Sequence, residues 1–141
     1  MDFHRLPCMR NLYLINFLVF NAMAKSFFEL QTWQEAHTLT MRIYQITTSF
    51  PVSERFGLSS QLRRAAVSVG SNLAEGSGRG SKKDIIRFVV MARGSVQEVI
   101  YQLYLACQLG YLGDASVYQE MLKRYNGLSF GLTKQIEGLS R

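Results

Sequence analysis

The chain has 141 residues, 48% of them apolar and 18% charged, with a formal net charge of +6. That length suits one domain with a core of its own, and the composition excludes a disordered polar chain. Two cysteines, Cys8 and Cys107, exclude a disulfide framework, and the positive balance favours anionic partners without saying anything about fold. The first twenty-two residues differ from the rest. The run "NLYLINFLVF" is too short to span a membrane. Early arginines, this apolar run and Ala22-Met23-Ala24 have the layout of a secretory leader. The rival reading, favoured here, is a native start at Met23, with residues 1–22 a non-native extension and residues 23–141 the domain. That domain, with a basic surface and a single thiol, reads as cytoplasmic.

No segment reads as a strand, and helical spacing appears four times. The first helix is expected to open at Thr32-Trp33-Gln34-Glu35, a T-x-x-E capping box. Trp33, Ala36, Thr40, Ile43, Tyr44, Thr47 and Phe50 follow one face, and Pro51 is expected to stop it. After "PVSERFG", Leu58, Leu62, Ala65, Ala66, Val69 and Leu73 mark a second helix over Ser59 to Glu75. Small residues flank that stripe and allow close approach. Gly70 predicts a bend or a close contact, and Gly76 fits the left-handed position after a helix end.

The third helix is expected from Ser81, whose Ser81-Lys82-Lys83-Asp84 has the S-x-x-[DE] form of a cap. Ile85, Val89, Ala92, Val96, Val99, Leu103 and Ala106 alternate steps of four and three, the strongest periodicity in the chain. Further apolar residues widen this stripe beyond one neighbour. Cys107 falls beside it and reads as a small buried hydrophobe. Gly110-Tyr111 predicts the end, and Asp114 or Ser116 the cap of a fourth helix. Its stripe is Val117, Met121, Tyr125, Leu128, Leu132, Ile136 and Leu139. Short links between four amphipathic helices predict an all-α, antiparallel up-down-up-down four-helix bundle.

The glycines of "NLAEGSGRGSKKDIIRF" raise the question of nucleotide binding. A P-loop needs G-x-x-x-x-G-K-[ST] after a strand, but Gly76 and Gly80 are four apart and the loop leaves a helix. The dinucleotide fingerprint fails at Ser81. No Cys/His metal spacing, nucleophile elbow or Glu-x-x-His pattern occurs. The sequence therefore predicts no cofactor, no metal and no catalysis. Glu75 and Glu98 are expected to pair with Arg63, Arg64 or Arg93. What turn chemistry does not absorb is the crowding of Arg79, Lys82, Lys83 and Arg87 at a helix N-terminus, which attracts anions. With Arg63 and Arg64 these are the candidate nucleic-acid-binding residues.

The run "ERFGLSSQLRRAAVSVGSNLAEGSGRGSKKDIIRF" resembles the four helix bundle proteins encoded in intervening sequences of bacterial 23S rRNA genes. The resemblance covers about Phe27 to Leu139 and departs at Gly70, where the family commonly has proline. It implies an antiparallel bundle, often a ring-like homopentamer. It also implies likeness to the basic pentameric accessory protein of diversity-generating retroelements, which associates with a reverse transcriptase and nucleic acid. The resemblance brings no catalytic residues. The expected function is a non-catalytic, oligomeric bundle binding RNA, DNA or a ribonucleoprotein through the basic hairpin end. The alternative is a protein-binding or structural bundle whose basic residues pair internally or across subunits. Neither reading involves a membrane.

Overall fold

A computed structural model describes residues 27–141. The proposed start at Met23, the leader-like pattern and Cys8 lie outside the described residues. Within them the chain forms four long helices: α1 (Gln31–Thr47), α2 (Leu58–Ser77), α3 (Lys82–Gln108) and α4 (Ala115–Leu139). Short 3₁₀ turns occupy Phe27–Glu29 and Val52–Glu54. No strand occurs among the described residues.

Each helix packs on its sequence neighbours, and α1 closes the ring against α4. The cross-helix pairs give the direction of each neighbour. Thr40 bonds the Ala66 carbonyl while Thr47, a later residue, meets the earlier Arg63. Ser68 meets Ser95 and Gly76 meets Phe88. Arg93 reaches Thr133, and Gln97 reaches Ser129. Thr32 reaches Gln135, while Arg42 reaches Glu120. Along every neighbouring pair, one number rises as the other falls, so adjacent helices run antiparallel.

The core follows the sequence stripes closely on three helices. Leu62, Val69 and Leu73 of α2, Val89, Val96, Val99 and Leu103 of α3, and Met121, Tyr125 and Leu132 of α4 are sealed from solvent. Cys107 is only half-buried. On α1 the buried set is Ala36, Leu39, Ile43, Ile46 and Thr47, with Phe50 buried just beyond its end. Tyr44 points outward instead, with the Arg63 guanidinium over its ring at 4.8 Å.

Three local expectations need correcting. Thr32 does not cap α1. The cap is Leu30, without a side-chain bond, and the Thr32 hydroxyl donates to Gln135 of α4 at 2.9 Å. α1 ends at Thr47 rather than at Pro51. The hydroxyls of Thr47, Thr48 and Ser49 turn back on carbonyls of the last turn, at 2.6–2.9 Å for their shortest bonds, which competes with continued helix. Gly76 is not a left-handed end residue but a buried part of α2. A Cβ there would stand 2.7 Å from the Phe88 Cβ, so glycine is what lets α3 pass this close.

The two corners at the far end are tied together. Gly110, at φ 75°, closes α3: its N–H donates to the Cys107 carbonyl at 3.0 Å, and Tyr111 N–H reaches the Ala106 carbonyl at 2.9 Å. That is the paired bonding of a Schellman end, as Gly110-Tyr111 predicts. Tyr111 packs on Phe50 at 5.6 Å and donates its hydroxyl to Glu54 at 3.2 Å. The other Glu54 oxygen accepts from Leu58 N–H at 2.8 Å and so caps α2. The close contact expected at Gly70 is not found: a Cβ there would lie 3.6 Å from the Trp33 indole nitrogen, an ordinary packing distance, and α2 continues through it.

Candidate nucleic-acid interface

The α2–α3 hairpin is built by local bonds. After Ser77, Gly78 stays in a right-handed conformation, and its N–H returns to the Glu75 and Gly76 carbonyls. Arg79 N–H bonds the Gly76 carbonyl at 3.1 Å. Ser81 then caps α3, its hydroxyl oxygen accepting from Asp84 N–H at 3.1 Å and its O–H donating to the Asp84 carboxylate at 2.7 Å. The cap predicted from S-x-x-[DE] is present, with the acid bonded to the serine hydroxyl.

Arg79 is the one hairpin cation that spends its charge internally. It pairs with Glu75 one turn back, and its guanidinium lies over the Phe88 ring at 4.6 Å. Lys82, Lys83 and Arg87 are exposed and make no ion pair among the described residues. Lys82 and Lys83 occupy the first turn of α3, where backbone N–H groups have no carbonyl behind them and the helix end is already positive.

Arg63 and Arg64 are not part of this cluster. They sit in the first half of α2, roughly 20 Å from Gly78 at 1.5 Å per residue. Arg63 is half-buried, donating from Nε to Thr47 at 2.8 Å while covering Tyr44. Arg64 is exposed and shares a groove with Arg55, Phe56, Ser60 and Tyr44. The six predicted residues therefore divide between the hairpin and the opposite half of α2. The expected pairs of Arg63, Arg64 or Arg93 with Glu75 or Glu98 do not form. Glu75 takes Arg79, Glu98 accepts from Gln102 at 3.1 Å, and Arg93 donates to Thr133 at 3.1 Å.

Sequence reasoning passed over Arg55 and Phe56 as connection residues. The available signal was an aromatic beside arginine, in a link too short to fold back over it. Elsewhere the polar surface is structural. Arg124 grips Glu35 with two bonds at 2.9 and 3.1 Å, joining α4 to α1. Among the described residues no three His, Cys, Asp or Glu side chains gather to hold a metal ion, and no helix is long and apolar enough to cross a membrane.

These features define an all-α four-helix bundle with a basic hairpin end. The chain belongs to the 23S rRNA-intervening sequence protein family, whose model matches residues 28–137. Among solved structures it resembles a protein of unknown function from the S23 ribosomal protein family of Bacteroides thetaiotaomicron VPI-5482. The two share 20% identity with a TM-score of 0.69, over 75% of this chain and 95% of that one, a likeness of fold. No curated protein matches the sequence.

Proposed function

We propose that this protein is a non-catalytic, homo-oligomeric bundle that binds nucleic acid, or a ribonucleoprotein, through the hairpin end of α2 and α3. The observation that carries this reading is the state of Lys82, Lys83 and Arg87. Three exposed cations, without ion pairs among the described residues, stand at the amino end of a 27-residue helix. Positive charge there opposes the helix dipole and costs stability. An anion brought to that end offsets the cost and is met by free N–H groups as well. Such contacts read phosphates, so binding has little sequence preference.

Assembly is part of the same proposal. α3 leaves Val90, Met91, Tyr101 and Tyr104 exposed outside its core stripe. That face suits a second copy of the chain, and the family resemblance favours a pentamer. The second reading, a structural or protein-binding bundle, is favoured by Arg79 and Arg63, whose partners are internal.

The test is binding of labelled RNA and DNA across a salt series. Each phosphate contact contributes a slope of about −0.9 in log affinity against log salt for duplex DNA and about −0.7 for single strands. Lys82→Ala with Lys83→Ala should flatten the slope by about one to two units per subunit engaged. An unchanged affinity and slope would remove the hairpin from the function. Light scattering at micromolar concentration should show an oligomer, and a clean monomer would refute the assembly.

A further inference from the structure

At the other end of α2 lies a groove with a different chemistry. Its volume is about 670 Å³, inside the range of roughly 300–1,000 Å³ typical of small-ligand clefts. Phe56 projects from the α1–α2 connection with 87% of its surface exposed. The Arg55 guanidinium lies 5.4 Å from the centre of that ring. Across the groove, Tyr44 is held outward beneath Arg63, itself anchored on Thr47. Arg64 and the Ser60 hydroxyl complete the polar edge.

Among the described residues no acid lines this groove. Glu54, next to Arg55 in sequence, is turned away and consumed, one oxygen by Leu58 N–H and the other by the Tyr111 hydroxyl. Arg55 and Arg64 make no ion pair among the described residues. Three guanidinium groups and two outward-facing rings thus share one open cleft. An exposed ring beside unpaired arginines fits an anion that carries a flat apolar face.

We propose that this groove is a second nucleic-acid contact that takes an unpaired nucleotide, its base stacked on Phe56 and its flanking phosphates on Arg55 and Arg64. The inference rests on the nucleic-acid reading above and adds strand state to it. A duplex keeps its bases stacked on one another and offers the groove only phosphates. A single strand offers both, because every base has a π-face that an aromatic ring can cover. Arg63 is a positioning residue here, holding Tyr44 as a wall.

The experiment compares a labelled single-stranded RNA 12-mer with the same sequence as a duplex, using the full chain and fluorescence anisotropy. Phe56→Ala should weaken single-strand binding by about fivefold to a hundredfold, the worth of one stacked base. It should leave duplex binding within about twofold. Phe56→Trp should restore single-strand affinity. Arg55→Ala with Arg64→Ala should flatten the single-strand salt slope by about 1.4, two contacts at 0.7 each. Circular dichroism and light scattering accompany each variant, and Phe56 is exposed enough that its removal leaves the core intact.

Two results overturn the inference alone. One is wild-type binding that Lys82→Ala and Lys83→Ala weaken while Phe56→Ala leaves it unchanged. The other is a Phe56→Ala protein that loses its oligomeric state, which would make the groove a seat for a second copy of this chain. Absence of binding by the wild type to either strand form would instead overturn the nucleic-acid reading itself.

Discussion

Replacing Gly76 with alanine tests the closest approach in the bundle. Two effects oppose one another. In a helix interior, Gly→Ala is favourable by about 1 kcal/mol. At this position the added Cβ would lie 2.7 Å from the Phe88 Cβ and 3.6 Å from the Ile85 carbonyl oxygen. A β-carbon cannot rotate away from its own backbone, so α2 and α3 must separate or shift along each other. Overpacking of this kind costs about 1–3 kcal/mol. The net is a loss of roughly 0–2 kcal/mol. Gly127→Ala supplies the control, because a Cβ on that exposed α4 glycine meets nothing within 4 Å. It should gain the full helix preference of about 1 kcal/mol. Urea unfolding at one fixed protein concentration measures both, since stability shared with assembly depends on concentration. The separation between the two variants should therefore be about 1–3 kcal/mol, the strain at Phe88 itself. A Gly76→Ala protein as stable as Gly127→Ala would refute the argument from close approach.

Ser81→Ala removes the hydroxyl that accepts from Asp84 N–H and should cost about 1 kcal/mol in urea unfolding. Tyr125→Phe should raise stability by about 1 kcal/mol, since the buried hydroxyl has no hydrogen-bond partner among the described residues. Burial also drives the Tyr125 pKa upward, so absorbance should show no ionisation of this residue short of unfolding in alkali. Asp114 accepts from Ser116 N–H and then from its hydroxyl, which lowers its pKa below the ordinary 3.8. Its contribution is complete above 3.8 and is lost as pH falls through the lower folded value. The stability gap between wild type and Asp114→Ala should accordingly close in acid, and NMR titration should place the Asp114 midpoint below 3.8.

The apolar periodicity of α2, α3 and α4 was legible because burial on one side of a helix repeats every three or four residues, and no other element shares that period. The caps at Ser81 and Asp114 were legible because each needs only a serine or acid a fixed number of residues from its amide. Thr32 has the same local form and fails, because its hydroxyl finds a partner 103 residues away. Gly76 was misread for a related reason. A glycine reserved for φ > 0 and one reserved for a neighbour's Cβ look identical in sequence, and only the position of Phe88 distinguishes them. The candidate cations were legible as charges but not as partners. Arg79 and Glu75 are only four apart, across the end of α2, yet nothing local shows that Lys82 and Lys83 stay without an ion pair among the described residues. Arg55 and Phe56 gained meaning only when α1 and α2 closed a wall around them.

The corner at Glu54 has a consequence for how the molecule opens. Loops that join helices are usually the first segments to fray, at little cost in free energy. Here the Glu54 carboxylate binds Leu58 N–H at the start of α2 and the hydroxyl of Tyr111, 57 residues after Glu54, on the other connection, while Phe50 packs against the same tyrosine. The two connections therefore share one opening event. Amide exchange at Leu58 should follow that at Tyr111, and both should slow or quicken together when either corner is altered.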